Sequence, residues 1–217
     1  MSLPPHHIPV QSNAKDTMEE KEDIPPHLKS LYEAYTIVPH SQLFFSKADQ
    51  SDNDTTTPPP RRNLLYLGPP LDLANFTHHV PRVVAKYNEF DAQATADVLS
   101  RCCEKDEVFA KCLYRFGRES SPGLWIQLPS ECDNDSAASI VKLLEEEQES
   151  LQVSELSLLR KENVKSWYTM WRTMLDDHGD ETWIAMEQDP DMFRESSDEL
   201  LRLAEQEHHM FIKLWWD

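Results

Sequence analysis

DEVFAKCLYRFG, residues Asp106 to Gly117, is the stretch on which the fold turns. Phe109, Cys112, Leu113 and Phe116 recur at i, i+3, i+4 and i+7, the apolar stripe of an amphipathic helix. Asp106 is a ready N-cap, and Gly117 is the residue type that most easily takes a left-handed stop. Just upstream, Asp91 caps a helical pattern running to about Glu104. The short turn between the two predicts an antiparallel helical hairpin. Further back, Val80, Val83, Val84 and Tyr87 form another stripe, with Pro81 marking a helix start.

The same period extends downstream. Asp135 caps a helix through about Leu151 on Ala137, Ile140, Val141 and Leu144, its solvent side carrying the acidic run Glu145–Glu149. The longest helix is expected over Ser154–Asp177, with Val164, Trp167, Tyr168, Trp171, Met174 and Leu175 on one face and Gly179 at its end. Asp180 starts a short helix carrying Trp183, Ile184 and Met186, closed before Pro190. Ser196 with Glu199 reads as a capping box. A final helix then runs to the C-terminus on Leu200, Leu201, Ala204, Phe211 and Trp215. Leu124–Leu128 (LWIQL), between Pro122 and Pro129, fits either an extended strand or a packed loop. The expectation is an all-α domain at 63–217, a helical bundle or stacked helical hairpins.

Residues 1–62 read as a disordered arm and linker. Residues 1–23 are rich in Pro, His and charge and show no period, and Ser46–Arg62 (SKADQSDNDTTTPPPRR) offers nothing to bury. Between them Ile24, Leu28, Leu31 and Tyr35 recur at i, i+4, i+7 and i+11, predicting a short amphipathic helix at about 24–38. A helix of that length is marginal alone in water, so it must dock on the main domain or on another molecule.

Composition narrows the function classes. The chain has 217 residues, a net charge of −18 and a mean hydropathy of −0.62. Residues 63–217 hold 15 basic against 30 acidic side chains, a net of −15. Such a field repels phosphate backbones and anionic lipid, so nucleic acid is a disfavoured partner. A protein partner with a basic surface fits better. The chain has 4 glycines, which argues against phosphate-cradling loops. No secretory signal and no membrane-length apolar run is present, and four cysteines at 102, 103, 112 and 132 suit a reducing compartment. The expected location is cytoplasmic or nuclear.

Candidate chemistry is thin. Glu205 and His208 make one Glu-x-x-His unit on the expected last helix, whereas a di-iron bundle site needs two. Cys102, Cys103 and Cys112, with His78 and His79, lack the paired spacing of structural zinc. Arg172 and His178 have an Arg-x5-His spacing similar to that of helical ribonucleases of the HEPN type, which supports a hydrolase or nuclease only as an alternative. Lys161, Lys165 and Arg172 share one sector of their helix and are expected to pair internally with an acidic helix. Thr57–Pro58 and Ser121–Pro122 fit proline-directed phosphorylation. No cofactor or metal is expected.

The leading expectation is therefore a non-enzymatic interaction subunit or adaptor. Its contact residues would be Ile24, Leu28, Leu31 and Tyr35 of the arm, and Trp215 and Trp216 within residues 176–217, which carry 13 acidic and 3 basic side chains. An acidic mimic that occupies a basic protein surface is a further alternative.

Overall fold

The computed structural model describes residues 25–29, 31, 64–87, 89–119, 121–178, 185–186 and 190–217. In chain order these form β1 (Leu64–Leu67), α1 (Leu73–Val83), β2 (Lys86–Tyr87), β3 (Phe90–Asp91), α2 (Ala92–Lys105) and β4 (Leu113–Glu119). Next come β5 (Ser121–Gln127), α3 (Asn134–Glu146), α4 (Gln148–Leu151), β6 (Glu155–Leu159), α5 (Lys161–His178), β7 (Ala185–Met186), α6 (Pro190–Gln206) and β8 (Phe211–Trp215). The expectation of an all-α bundle is overturned: the architecture is α+β. Five antiparallel strands run in the order β6–β8–β5–β4–β1, and β7 adds parallel to β1 at the far edge.

Asp106 does cap, taking the N–H groups of Val108 and Phe109 at 2.8 Å each. What it caps is a single 3-10 turn, Phe109–Lys111, after which Cys112 turns extended (φ −66°, ψ 154°) and β4 begins. The register then explains the misleading pattern. Tyr114 pairs with Ile126 and Phe116 with Leu124, all on one sheet face, while Arg115 pairs with Trp125 on the other. Gly117 lies inside the strand, not at a helix end. Both faces of this sheet are covered, so the polar alternation that identifies a one-sided strand is erased.

Two more strands were hidden in the same way, and two helix boundaries also move. Glu155–Leu159 is a strand, and the long helix starts only at Lys161, with the Arg160 N–H donating to Asn163 Oδ1 at 3.0 Å. The last helix stops at Gln206, and Phe211–Trp215 inserts between β5 and β6 in place of a helical C-terminus. Ser196 lies within α6, which begins at Pro190. Pro81 sits in the last turn of α1, not at a helix start. Leu124–Leu128 resolves as strand through Gln127. Ala185 and Met186 form β7 rather than part of the short helix expected from Asp180, while residues 180–184 and 187–189 fall outside the described residues, as do 1–24, 30 and 32–63.

Helix starts conform to their caps. Asp91 accepts from Ala94 N–H at 3.0 Å, Asp72 from Asn75 at 2.8 Å, and Asp133, not Asp135, from Ser136 at 2.8 Å. Each such cap contributes about 1 kcal/mol. Gly68 answers a close approach rather than a turn: a Cβ there would lie 2.7 Å from the Phe116 carbonyl oxygen.

Two cores result, one on each side of the sheet. The larger joins Tyr114, Phe116, Leu124, Ile126, Ile212 and Leu214 to apolar residues of α1, α2 and α3. The smaller places Val164 of α5 and Phe193, Leu200 and Leu203 of α6 over Leu67, Trp125 and Phe211. Complete burial of each such side chain contributes about 1.5–3 kcal/mol. Among the described residues, no helix is long and apolar enough to cross a membrane.

Candidate functional site

Pro26–Leu28 form a 3-10 turn opened by proline, and Leu28 and Leu31 are both 0% exposed within the larger core. The segment is docked on its own domain. Contact of these two leucines with another protein would require the segment to leave that core. Ile24 and Tyr35 lie outside the described residues.

Trp215 and Trp216 point to opposite sides because they are consecutive on an extended chain, not because they share a helix. Trp216 is fully buried; its Nε1 donates to the Leu151 carbonyl at 2.7 Å, and its ring meets Phe90 edge-on at 4.9 Å. Trp215 is half-buried, and its Nε1 donates to Asp217 Oδ1 at 2.8 Å. Lys213 sits between two rings on that same face, with Nζ 4.5 Å from the Trp215 centroid and 5.2 Å from that of Trp125. Of the two tryptophans, Trp215 alone reaches solvent.

Two of the three basic residues of that α5 sector are paired internally, as the charge pattern implied, while Lys161 is exposed with no ion pair among the described residues. Lys165 Nζ lies 3.6 Å from Glu205 Oε1, and Arg172 Nη1 lies 3.6 Å from Asp198 Oδ1. Tyr168 Oη donates to the same Asp198 at 2.7 Å, and Arg172 stacks over the Tyr168 ring at 5.7 Å. The side chain of His178 lies outside those described, so the Arg172–His178 pairing is not defined. The expected Glu-x-x-His face does not form: the helix has ended by Gln206, and His208 is exposed in a left-handed conformation (φ 60°). It is His209 that turns inward, its Nδ1 2.6 Å from the Leu128 carbonyl.

Burial governs the cysteines. Cys102 and Cys112 are buried, the first with its thiol pushed up to about 11 and the second raised further. Burial also raises Cys103, whose Sγ is 3.5 Å from Tyr114 Oη, and Cys132. Thiols held above neutrality are poor nucleophiles and poor metal ligands. Among the described residues no three His, Cys, Asp or Glu side chains gather as a metal site.

One arrangement escaped the sequence reading. Arg115, 1% exposed at the centre of the α5–α6 face, lies 3.0 Å from Glu199 Oε2. The contact has ion-pair distance without hydrogen-bond geometry, and neither Arg115 Nε nor Nη2 has a hydrogen-bond partner. Burial lowers the guanidinium's pKa, and Glu199 opposes that shift. The signal was available: Arg115 interrupts an apolar run, and a period-2 reading would have set it on the face opposite Tyr114 and Phe116.

The most coherent surface is acidic. Glu147, at the α3–α4 junction, receives both Arg101 (2.7 Å) and Lys105 (3.1 Å) from α2. Those hydrogen bonds hold its carboxyl below the ordinary glutamate value. Around this clasp Glu104, Glu107, Glu145, Glu146 and Glu149 are exposed or half-exposed. None of these five has a cation partner among the described residues. Compared with known proteins, the chain matches no family model, no curated protein and no solved structure.

Proposed function

We propose that this chain is a non-enzymatic interaction subunit that presents an acidic helical surface to a basic protein partner. One observation carries the reading. The two cations of α2, Arg101 and Lys105, are both drawn onto Glu147, and Lys142 of α3 is exposed with no ion pair among the described residues, so the neighbouring carboxylates hold no bound cation. Carboxylates arranged on rigid helix ends steer a cationic partner and set its orientation. The net charge of −18 adds a long-range attraction that salt screens within about 10 Å.

The acidic surface replaces the arm as the contact region, since Leu28 and Leu31 belong to the core. The test is affinity capture from the source organism with the full chain and with a Glu145→Lys, Glu146→Lys, Glu149→Lys variant. A stoichiometric complex that the native chain holds and the variant loses, with an unchanged melting temperature, supports the proposal. A complex retained by the variant, or none with either chain, overturns it.

A further inference from the structure

An antiparallel sheet ends in a row of N–H and C=O groups aimed outward, a template for one more strand. β6 is such an edge. It pairs with β8 through five consecutive residues, Glu155 to Leu159, and among the described residues no strand pairs on its other side. Proteins usually blunt an exposed edge with proline, an internal lysine or a bulge. The strand Glu155–Leu159 (ELSLL) has no proline or lysine, and its register against β8 is unbroken. Leu156, Ser157, Leu158 and Leu159 are all half-buried, only Glu155 being fully solvated.

Charge identifies the occupant. The edge opens on exposed Glu155 and closes on exposed Arg160 and Lys161. A strand acidic at its start and basic just past its end complements itself when reversed. An antiparallel two-fold reverses it, and it also keeps the two faces of each sheet aligned. We propose that two copies of this chain join across a two-fold axis at Ser157, each β6 pairing with the partner's β6 in one continuous sheet. Leu156 then faces the partner's Leu158, and Glu155 faces the partner's Leu159. The partner's Arg160 and Lys161, which follow directly on that Leu159 at the start of α5, then bring the basic end of one edge beside the acidic start of the other. The symmetric, self-complementary patch is the commonest way soluble chains form dimers. The pairing goes beyond the acidic-surface proposal and does not depend on it.

The experiment measures mass by light scattering on the full chain through a dilution series, for the native protein, Ser157→Lys and Ser157→Cys. The native chain should approach twice 25.3 kDa when concentrated. Ser157→Lys sets two like charges face to face on the axis and should raise the dissociation constant by about tenfold or more; because Lys213 stands opposite Ser157 on β8, the far-UV spectrum checks that the sheet of each copy is intact, and Ser157→Cys carries the test if it is not. Ser157→Cys should form an intermolecular disulfide on mild oxidation. Opposed residues in an antiparallel pair have Cα atoms about 4.5–5.5 Å apart, inside the roughly 4.4–6.8 Å that a disulfide spans. The native chain, whose four cysteines are free, is the control for that cross-link. A native mass that stays at 25.3 kDa when concentrated overturns the proposal and leaves the edge to a strand from another protein. A dimer that survives Ser157→Lys and gives no Ser157→Cys cross-link also overturns it, since another surface then holds the copies together.

Discussion

Replacing Leu28 or Leu31 by alanine should melt the whole domain early, although both residues stand more than thirty positions before the first strand. Each side chain is 0% exposed inside the larger core. Truncating such a leucine removes its transfer free energy and leaves a cavity that the surroundings only partly fill, a loss of about 2–5 kcal/mol. At a central value of about 3 kcal/mol, a domain of this size should lose about 6–12 °C in Tm. The tether bounds the effect. Once the segment has undocked, further trimming costs nothing, so the Leu28→Ala, Leu31→Ala double variant should fall short of the sum of the singles. The assay is thermal unfolding by circular dichroism with a parallel urea titration. The exposed His27→Ala is the control, expected to stay within about 0.5 kcal/mol of the native chain. If both leucine variants melt with the native protein, the segment is not part of the cooperative core, and its burial contributes nothing to stability.

Three further outcomes rest on the electrostatics and burial of named side chains. Glu147 has a folded pKa below its ordinary 4.5, set first by Arg101 and then by Lys105. Its contribution is therefore complete above that value and disappears as pH falls through the lower folded one. Glu147→Gln should melt below the native chain at neutral pH and converge with it in acid; a gap independent of pH would refute the linkage. Iodoacetamide at neutral pH should label half-buried Cys132 before Cys102 or Cys112, whose thiols burial raises to about 11 and beyond. Peptide mapping that finds Cys112 modified as fast as Cys132 in the folded chain would contradict that order. Arg115→Met should be neutral or stabilising, because it removes a buried charge with incomplete hydrogen bonding. Glu199→Gln, which strands that charge, should cost about 1–3 kcal/mol in urea titrations; the opposite ranking would mean that the pair stabilises the fold on balance.

Several features were legible from residues alone because they depend on neighbours in the chain. Asp91 capping α2, the apolar stripe of α3 (which breaks at Glu147 instead of running on to Leu151) and the end of the long helix near residue 178 rest on local hydrogen bonds and a 3.6-residue stripe. The pairing of Lys165 and Arg172 with acids of the last helix was likewise foreshadowed by their shared sector and the acidity of the C-terminal segment. The acidic run at Glu145–Glu149 was visible as composition. Its character as a surface with its cations withdrawn was not, because Arg101 and Lys105 lie more than forty residues from Glu147.

Neighbours along the chain set the charge, the Asp91 cap and the apolar stripes of α3 and α5. Long-range pairing and packing made strands of Leu113–Glu119, Glu155–Leu159 and Phe211–Trp215, shifted the starts of α1, α3 and α6 from where local signals put them, and drew Leu28 and Leu31 into the core. The reason is physical. A strand flanked by helices on both sides buries residues of both parities, and a few large apolar residues then satisfy a helical spacing as readily as an extended one. Phe109, Cys112, Leu113 and Phe116 did so, as did Phe211 and Trp215. What separates the two states is the ladder: β8 is extended because β5 and β6 on either side offer it backbone partners, and no local preference encodes them.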